Sequence, residues 1–170
     1  MLYGVWHTSF TVADIDRSID FYQGLLGFEL VHTQRQANEY TRRLVGYANA
    51  DLKIAQLAVP GQPRGASTHD LELVEYVVPR GKRGDTNICN PGAAHFAMTV
   101  DDIHARHERL VASGIEFVSS PNQITAGVNQ GGWTCYFRDP DEIVLEMLQP
   151  PPHRMPGPAA SGPAHIEVAA

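Results

Sequence analysis

The chain has 170 residues, 43% of them hydrophobic and 19% charged, which is enough for one compact domain or two small ones that share a core. Its net charge of -6 argues against a nucleic-acid partner or a membrane surface, because either would require a concentrated basic patch. The sequence shows neither a membrane-length apolar run nor a secretory leader pattern, so we expect cytoplasmic residence. Cys89 and Cys135 lack any close pairing motif and indicate neither a disulfide framework nor a thiolate metal site.

The first half of the chain, residues 1–78, predicts a strand, a helix and three further strands. An alternating strand over 6–12 leads into a helix with Asp14 or Asp16 as its N-cap and Gly27 at its end. The further strands are predicted over 28–34, 52–59 and 70–78. The stretch 38–50 has no counterpart later in the chain and is interpreted as an insertion of undetermined shape.

The second half, residues 93–149, predicts the same order of elements after a linker rich in Gly and Pro over 79–92. A strand over 94–100 is followed by a helix that Asp101 or Asp102 caps and Gly114 ends. The further strands are predicted over 116–118, 133–138 and 143–148. The Pro-rich segment 150–170 cannot build a core and is predicted to be a mobile tail.

The two halves repeat one sequence pattern. HTSFTVADID, which starts at His7, aligns with HFAMTVDDIH, which starts at His95. Each half then ends on a carboxylate inside an apolar strand, Glu72 in LELVEY and Glu146 in VLEMLQ. Because the repeat delivers two histidines and two glutamates at equivalent places, it predicts a metal site.

The alternation of side chains along a strand predicts where these four groups point. His7 and His95 share a strand face with small residues, opposite the bulky side chains that suit packing under the helices. Glu72 and Glu146 likewise face away from an apolar side, and neither has an arginine or lysine within its own strand. A half-buried carboxylate costs several kcal/mol unless it is paired or binds a cation. All four side chains are therefore predicted to face one cleft.

Two imidazoles and two carboxylates form a nitrogen and oxygen ligand set. This set suits one divalent ion, Zn, Ni, Co, Mn or Fe(II), and does not suit a soft thiophilic metal. Four protein ligands leave about two positions open on an octahedral ion, and adjacent open positions would chelate vicinal oxygens of a small-molecule substrate.

Four segments carry a resemblance to a known family: HTSFTVADIDRSIDFYQGLLGFEL, LELVEY, GAAHFAMTVDDI and YFRDPDEIVLEMLQP. The chain resembles the vicinal oxygen chelate superfamily, which includes glyoxalase I, methylmalonyl-CoA epimerase, extradiol dioxygenases and bleomycin resistance proteins. The resemblance implies an α+β fold in which two βαβββ modules form a curled mixed sheet around a metal-binding cleft. The family's ligand positions map onto the first and last strands of each module, at His7, Glu72, His95 and Glu146.

One turn departs from the family pattern. The family usually has DPDG, whereas this chain has Asp139, Pro140, Asp141 and Glu142. Glycine accepts a positive φ without steric cost, so Glu142 either adopts a positive φ at some cost or bends the turn differently.

The resemblance implies a glyoxalase-type isomerase, epimerase or lyase. The metal would stabilise the enediolate that forms when a proton leaves a carbon next to a carbonyl, on an acyl-CoA, a thioester or a hydroxy-ketone. Glu146 is the preferred general base and Glu72 the second choice. Four further polar residues are candidates for substrate binding: Asn129, Gln130, Tyr40 and Arg43.

Two other functions stay open. An Fe(II)-dependent extradiol-type dioxygenase would use His7, His95 and Glu146 and would require Glu72 to turn away. A metal-free drug-binding resistance protein is less well supported, because this chain retains all four ligand positions. Glu75 is predicted to be a salt-bridge partner and not a ligand. A homodimer is expected, and the cleft is completed either within one chain or across that dimer.

Overall fold

The structure is a computed structural model that describes residues 1–65 and 67–155. It contains two four-stranded mixed sheets, and each follows the order that its half of the sequence predicts. The strands of the first sheet are β1 (His7–Thr11), β2 (Glu29–Gln36), β3 (Asp51–Ala58) and β4 (Asp70–Val78). Those of the second sheet are β5 (His95–Thr99), β6 (Asn122–Gln123), β7 (Trp133–Arg138) and β8 (Val144–Gln149).

The two sheets have equivalent topologies. The spatial order is β1-β4-β3-β2 in the first sheet and β5-β8-β7-β6 in the second. β1 runs parallel to β4 and β5 parallel to β8, whereas the other pairs are antiparallel. The predicted α+β class with two βαβββ modules is confirmed, and the sheets remain separate and are not closed into a barrel.

One helix follows the first strand of each module. α1 (Ile15–Ile19) continues as a π-helical stretch over Asp20–Leu25, and α3 spans Ile103–Ala112. Of the two candidate caps in each half, the structure selects Asp14, which accepts from two backbone N–H groups, and Asp102, which accepts from one.

The insertion over 38–50 contains a helix, α2 (Glu39–Val45). Asn38 caps it by accepting from the Thr41 N–H, and Gly46 ends it with a φ of 77°. Val45 packs against a small apolar cluster on the first sheet, formed by Leu52, Ile54 and Val74. Because Val74 and Glu72 lie on the same side of β4, α2 covers part of the sheet face that carries Glu72.

Two predictions about the second half require correction or comment. The strand predicted over 116–118 is wrong: Phe117 forms only an isolated bridge with Phe137, and the fourth strand is β6. Three residues are too few to show whether a periodic pattern will find a partner strand. The predicted tail begins with a short 3₁₀ helix, Pro152–Arg154, and the remainder, 156–170, lies outside the described residues.

One apolar core contains residues of both modules. Phe10 on β1 meets Phe96 on β5 edge to face, with ring centroids 5.8 Å apart. These two side chains lie on the strand faces opposite His7 and His95, as the alternation predicts. No helix in the part of the chain that the structure describes is long and apolar enough to cross a membrane.

The turn after β7 joins the second module to α1. Asp139 accepts from the N–H groups of Asp141 and Ile143, and Asp141 accepts from the Ala13 N–H. Glu142 has a φ of 67°, so the turn keeps the positive φ of the family pattern without its glycine. This confirms the expectation that Glu142 adopts a positive φ and excludes the alternative of a different turn.

Candidate metal centre

His7 and Glu72 form the first pair of predicted ligands. In the register of β1 and β4, Glu72 lies opposite Ser9, so His7 and Glu72 are diagonal neighbours on one sheet face. His7 Nε2 lies 3.6 Å from Glu72 Oε1, and the two side chains are 33% and 17% exposed. This pair is therefore half-buried and reachable from solvent.

His95 and Glu146 form the equivalent pair in the second module. Glu146 lies opposite Ala97 in the register of β5 and β8, which repeats the diagonal arrangement. His95 Nε2 lies 3.1 Å from Glu146 Oε2, and this pair too is partly open to solvent. The sequence repeat thus corresponds to the same diagonal arrangement of a histidine and a glutamate in both modules.

The structure brings the four residues together in twos and not as a set of four. Within residues 1–65 and 67–155, no three His, Cys, Asp or Glu side chains approach closely enough to hold one ion. Each module of a single chain therefore offers half of the predicted ligand set.

The residues present fit a divalent cation. Among the described residues, each carboxylate forms an ion-pair contact with its histidine alone, so no arginine or lysine neutralises Glu72 or Glu146. His7 Nδ1 is buried and has no hydrogen-bond partner in the described chain. Two half-buried carboxylates without a cationic partner, each beside an imidazole, form a donor set that a nitrogen- and oxygen-preferring metal would satisfy.

Thr134 is a site residue that the sequence analysis did not identify. Its Oγ1 donates to Glu146 Oε1 at 2.5 Å and also lies 3.1 Å from the Met147 carbonyl oxygen. Strand alternation could have indicated this residue, because Thr134 lies two residues before Tyr136 and therefore on the same strand face. Tyr136 faces Glu146 across the β7–β8 pair.

The candidate substrate-binding residues lie in different places. Asn129 lines a cavity of about 970 Å³ between the modules, whereas Gln130 is exposed and does not line it. Tyr40 and Arg43 lie on the outer face of α2 beside a separate shallow depression, and Arg43 pairs with Glu39. None of the four predicted metal ligands lines either cavity.

Two other predictions concern groups outside the ligand set. Glu75 is confirmed as a salt-bridge partner, since Lys53 Nζ lies 3.1 Å from its Oε2. This hydrogen bond raises the pKa of Lys53 above its ordinary value. Cys135 is buried, and burial raises the pKa of its thiol to about 11, which makes it a poor nucleophile.

Paired βαβββ modules, each with a histidine on its first strand and a glutamate on its last, define a protein of the glyoxalase type. The chain belongs to the Glyoxalase/Bleomycin resistance protein/Dioxygenase superfamily, whose family model matches residues 4–147. It is 33% identical to a 2-epi-5-epi-valiolone epimerase of Actinomyces sp over 86% of this chain and 79% of that protein. It is 30% identical to a lactoylglutathione lyase of Haemophilus influenzae over 85% of this chain and 91% of that protein.

Solved structures agree on the fold. A glyoxalase family protein from Bacillus cereus superimposes with a TM-score of 0.74 at 22% identity, covering 89% of this chain and 96% of that one. Glyoxalase I of Leishmania major superimposes with a TM-score of 0.62 at 20% identity, covering 87% of each chain. The relatives named lyase and epimerase indicate an enzyme within this superfamily.

Proposed function

We propose that the protein is a divalent-metal-dependent isomerase, epimerase or lyase that shifts a proton next to a carbonyl group of a small substrate. The observation that carries this proposal is the pair of equivalent His–Glu arrangements, His7 with Glu72 and His95 with Glu146. The relatives named epimerase and lactoylglutathione lyase support the same reaction class.

A homodimer would complete the site. Each module of one chain offers two ligands on a solvent-reachable sheet face, and the described part of the chain does not gather a third. His7 and Glu72 of one copy would hold one ion together with His95 and Glu146 of the other. The two sites of the dimer would then be related by its two-fold axis.

The chain's own residues would transfer the proton. When bound, the metal supplies positive charge that stabilises the two oxygens of an enediolate. A carboxylate of the site, Glu72 or Glu146, removes the proton from the carbon next to the carbonyl and later returns it. The sheet faces that carry these residues would orient the substrate oxygens.

The substrate class follows from the chemistry of the site. A ligand with two adjacent oxygens, such as a hydroxy-ketone or a thioester with a neighbouring hydroxyl group, would chelate the ion through both. We propose a hydroxy-ketone first, because the epimerase is the relative with 33% identity. No observation favours a dioxygenase, since Glu72 points toward His7 and not away from the ligand set.

Metal analysis and isotope exchange test the proposal. Protein purified without chelator should contain about one divalent ion per chain, and His7→Ala or His95→Ala should lose it because the ligand set is then incomplete. His32→Ala is the matched control, since His32 is an exposed histidine on β2 outside both pairs. Anaerobic incubation with 2-epi-5-epi-valiolone or lactoylglutathione in D₂O should introduce deuterium next to the carbonyl.

The results that contradict this proposal are specific. The proposed metal site would be contradicted if the purified protein contained no metal and if His7→Ala did not differ from it in metal content or deuterium exchange. Oxygen uptake with catechols, in the absence of deuterium exchange, would replace proton-shift chemistry with dioxygenase chemistry.

A further inference from the structure

The two interfaces that the repeat places between the modules differ. At one of them the turn over 139–143 closes onto α1, because Asp141 accepts from the Ala13 N–H at 3.0 Å and from Arg17 Nη2 at 2.7 Å. The corresponding connection of the first module, between β3 and β4, is the longer loop over 59–69. The cavity of about 970 Å³ lies between the described residues of this loop and α3. The first module thus leaves a cavity where the second closes its interface with an arginine–carboxylate pair.

The inner wall of this cavity is apolar. Side chains of both modules line it, and six of them belong to the shared core: Leu25, Leu26, Phe28, Phe96, Met98 and Leu110. None of the four predicted metal ligands lines it, so the cavity is distinct from the candidate metal centre. An apolar group that enters the cavity would be stabilised, because its surface is removed from water.

Three arginines supply the permanent charge at the cavity. Arg106 and Arg109 of α3 and Arg154 of the 3₁₀ helix line it, and no described Asp or Glu does. Arg109 Nη2 donates to the Leu25 carbonyl oxygen at 3.0 Å, and Arg154 Nη1 donates to another backbone carbonyl oxygen at 3.2 Å. Arg106 Nε donates to Asp101, whose side chain is 75% exposed. Arg109 and Arg154 therefore form no ion pair within residues 1–65 and 67–155.

These guanidinium groups keep donors for a ligand. A guanidinium has five N–H donors, and each of the three makes one side-chain hydrogen bond to the described residues. A carbonyl oxygen accepts a hydrogen bond but does not neutralise the charge. In a chain with a net charge of -6, this cavity concentrates positive charge and attracts anions.

We propose that this cavity is a second ligand site, which binds a small organic anion with an apolar body, such as a medium-chain carboxylate. The apolar wall receives the chain, and Arg109 and Arg154 donate charge-assisted hydrogen bonds to the carboxylate. The carboxylate of the ligand then pairs with arginine as Asp141 does at the other interface. This inference does not depend on the function proposed above.

Titration calorimetry of the full chain with octanoate and with octan-1-ol tests the site. Octanoate should bind with a Kd of about 1 mM or below, because it offers both an apolar chain and a charge. Octan-1-ol has the same chain length without the charge and should bind at least about 10-fold more weakly.

Substitutions locate the octanoate. Arg109→Gln and Arg154→Gln should each weaken its binding about 10-fold, because each removes a charged donor. Arg42→Gln is the matched control, since Arg42 is an exposed arginine on α2 that does not line the cavity. Thr8→Trp should also weaken binding, because Thr8 lines the cavity and the larger side chain would occupy part of it. Circular dichroism checks folding, and the exposed Arg154 gives a second variant if Arg109→Gln does not fold.

Several results would overturn this inference. Equal affinity for octanoate and octan-1-ol would show that the cavity does not recognise charge. No octanoate binding at millimolar concentration, or unchanged binding in the folded arginine variants, would contradict the site itself. Loss of octanoate binding in His7→Ala, with the arginine variants unchanged, would place the carboxylate at the proposed metal ion. Each of these outcomes leaves the metal content of the wild-type protein, which tests the proposed function, as a separate measurement.

Discussion

Tyr22 and Asp139 form a buried polar contact between the modules. Tyr22 is fully buried, and its hydroxyl donates to Asp139 Oδ2 at 3.0 Å. Burial raises the pKa of Asp139, while backbone N–H groups of Ile143 and Asp141 and the Tyr22 hydroxyl act in the opposite direction. The folded state therefore binds the Asp139 proton more tightly than the unfolded state. Its contribution to stability is present below the ordinary carboxyl pKa and is lost as the pH rises through the raised pKa.

Tyr22→Phe should destabilise the protein by about 1–3 kcal/mol at pH 7, because it leaves an ionised buried carboxylate with one donor fewer. At pH 4 the cost should be smaller, since a larger fraction of Asp139 is protonated and needs that donor less. Urea unfolding at both pH values measures the difference. An equal cost at pH 4 and pH 7 would show that the hydroxyl does not stabilise the charged form.

At the scale of elements, the last strand of each module both carries a proposed metal ligand and anchors a helix. Glu75 Oε2 accepts from the Ile15 N–H at 3.1 Å, and Gln149 Oε1 accepts from the Ile103 N–H at 2.9 Å. Glu75 and Gln149 each lie three residues after the glutamate of the candidate site. Alternation along the strand therefore places their side chains on the opposite sheet face. The same strands thus present Glu72 and Glu146 on one side and hold the starts of α1 and α3 on the other.

Glu75→Ala should cost about 1–3 kcal/mol, because the Ile15 N–H is left without its buried acceptor. Glu75→Gln keeps an acceptor, as the equivalent Gln149 does, and should cost less than about 1 kcal/mol. Gln149→Ala is the matched variant in the second module and should cost about as much as Glu75→Ala. Urea denaturation measures all three, and a Gln substitution as costly as Ala would mean that charge outweighs the hydrogen bond.

At the scale of the whole molecule, the proposed dimer assigns the two halves of each site to different chains. The described residues of one chain hold the pairs apart, with Phe10 and Phe96 packed between the first strands of the two modules. Sharing the site between chains makes activity depend on which variants are combined, and this is testable without a structure of the dimer.

Mixing inactive His7→Ala and His95→Ala chains should restore activity. Each mixed dimer has one site in which both histidines are intact and one in which both are missing. With random exchange half of the dimers are mixed, so about a quarter of wild-type activity should return after unfolding and refolding together. No recovery in confirmed mixed dimers would place the whole site within one chain.

Much of the fold and part of the site could be predicted, and the reasons differ by residue. The strand faces of His7, Glu72, His95 and Glu146 were predictable because alternation along a strand is local and has a period of two, whereas their arrangement in two diagonal pairs depends on the register between strands. The helix in 38–50 was not, since that stretch has no repeat to compare it with. Thr134 was missed because its contact with Glu146 depends on the register between β7 and β8, which turn geometry and packing set.

Sequence by itself determined which side chains could bind a metal, which strand face each occupies and which family the chain resembles. These properties follow from local backbone geometry and from a repeat that is visible in the residues. Only the tertiary structure decided that the two His–Glu pairs stay apart within the described chain and that the Thr134 hydroxyl donates to Glu146. Both depend on contacts between distant segments, whose packing leaves no periodic signal in the sequence.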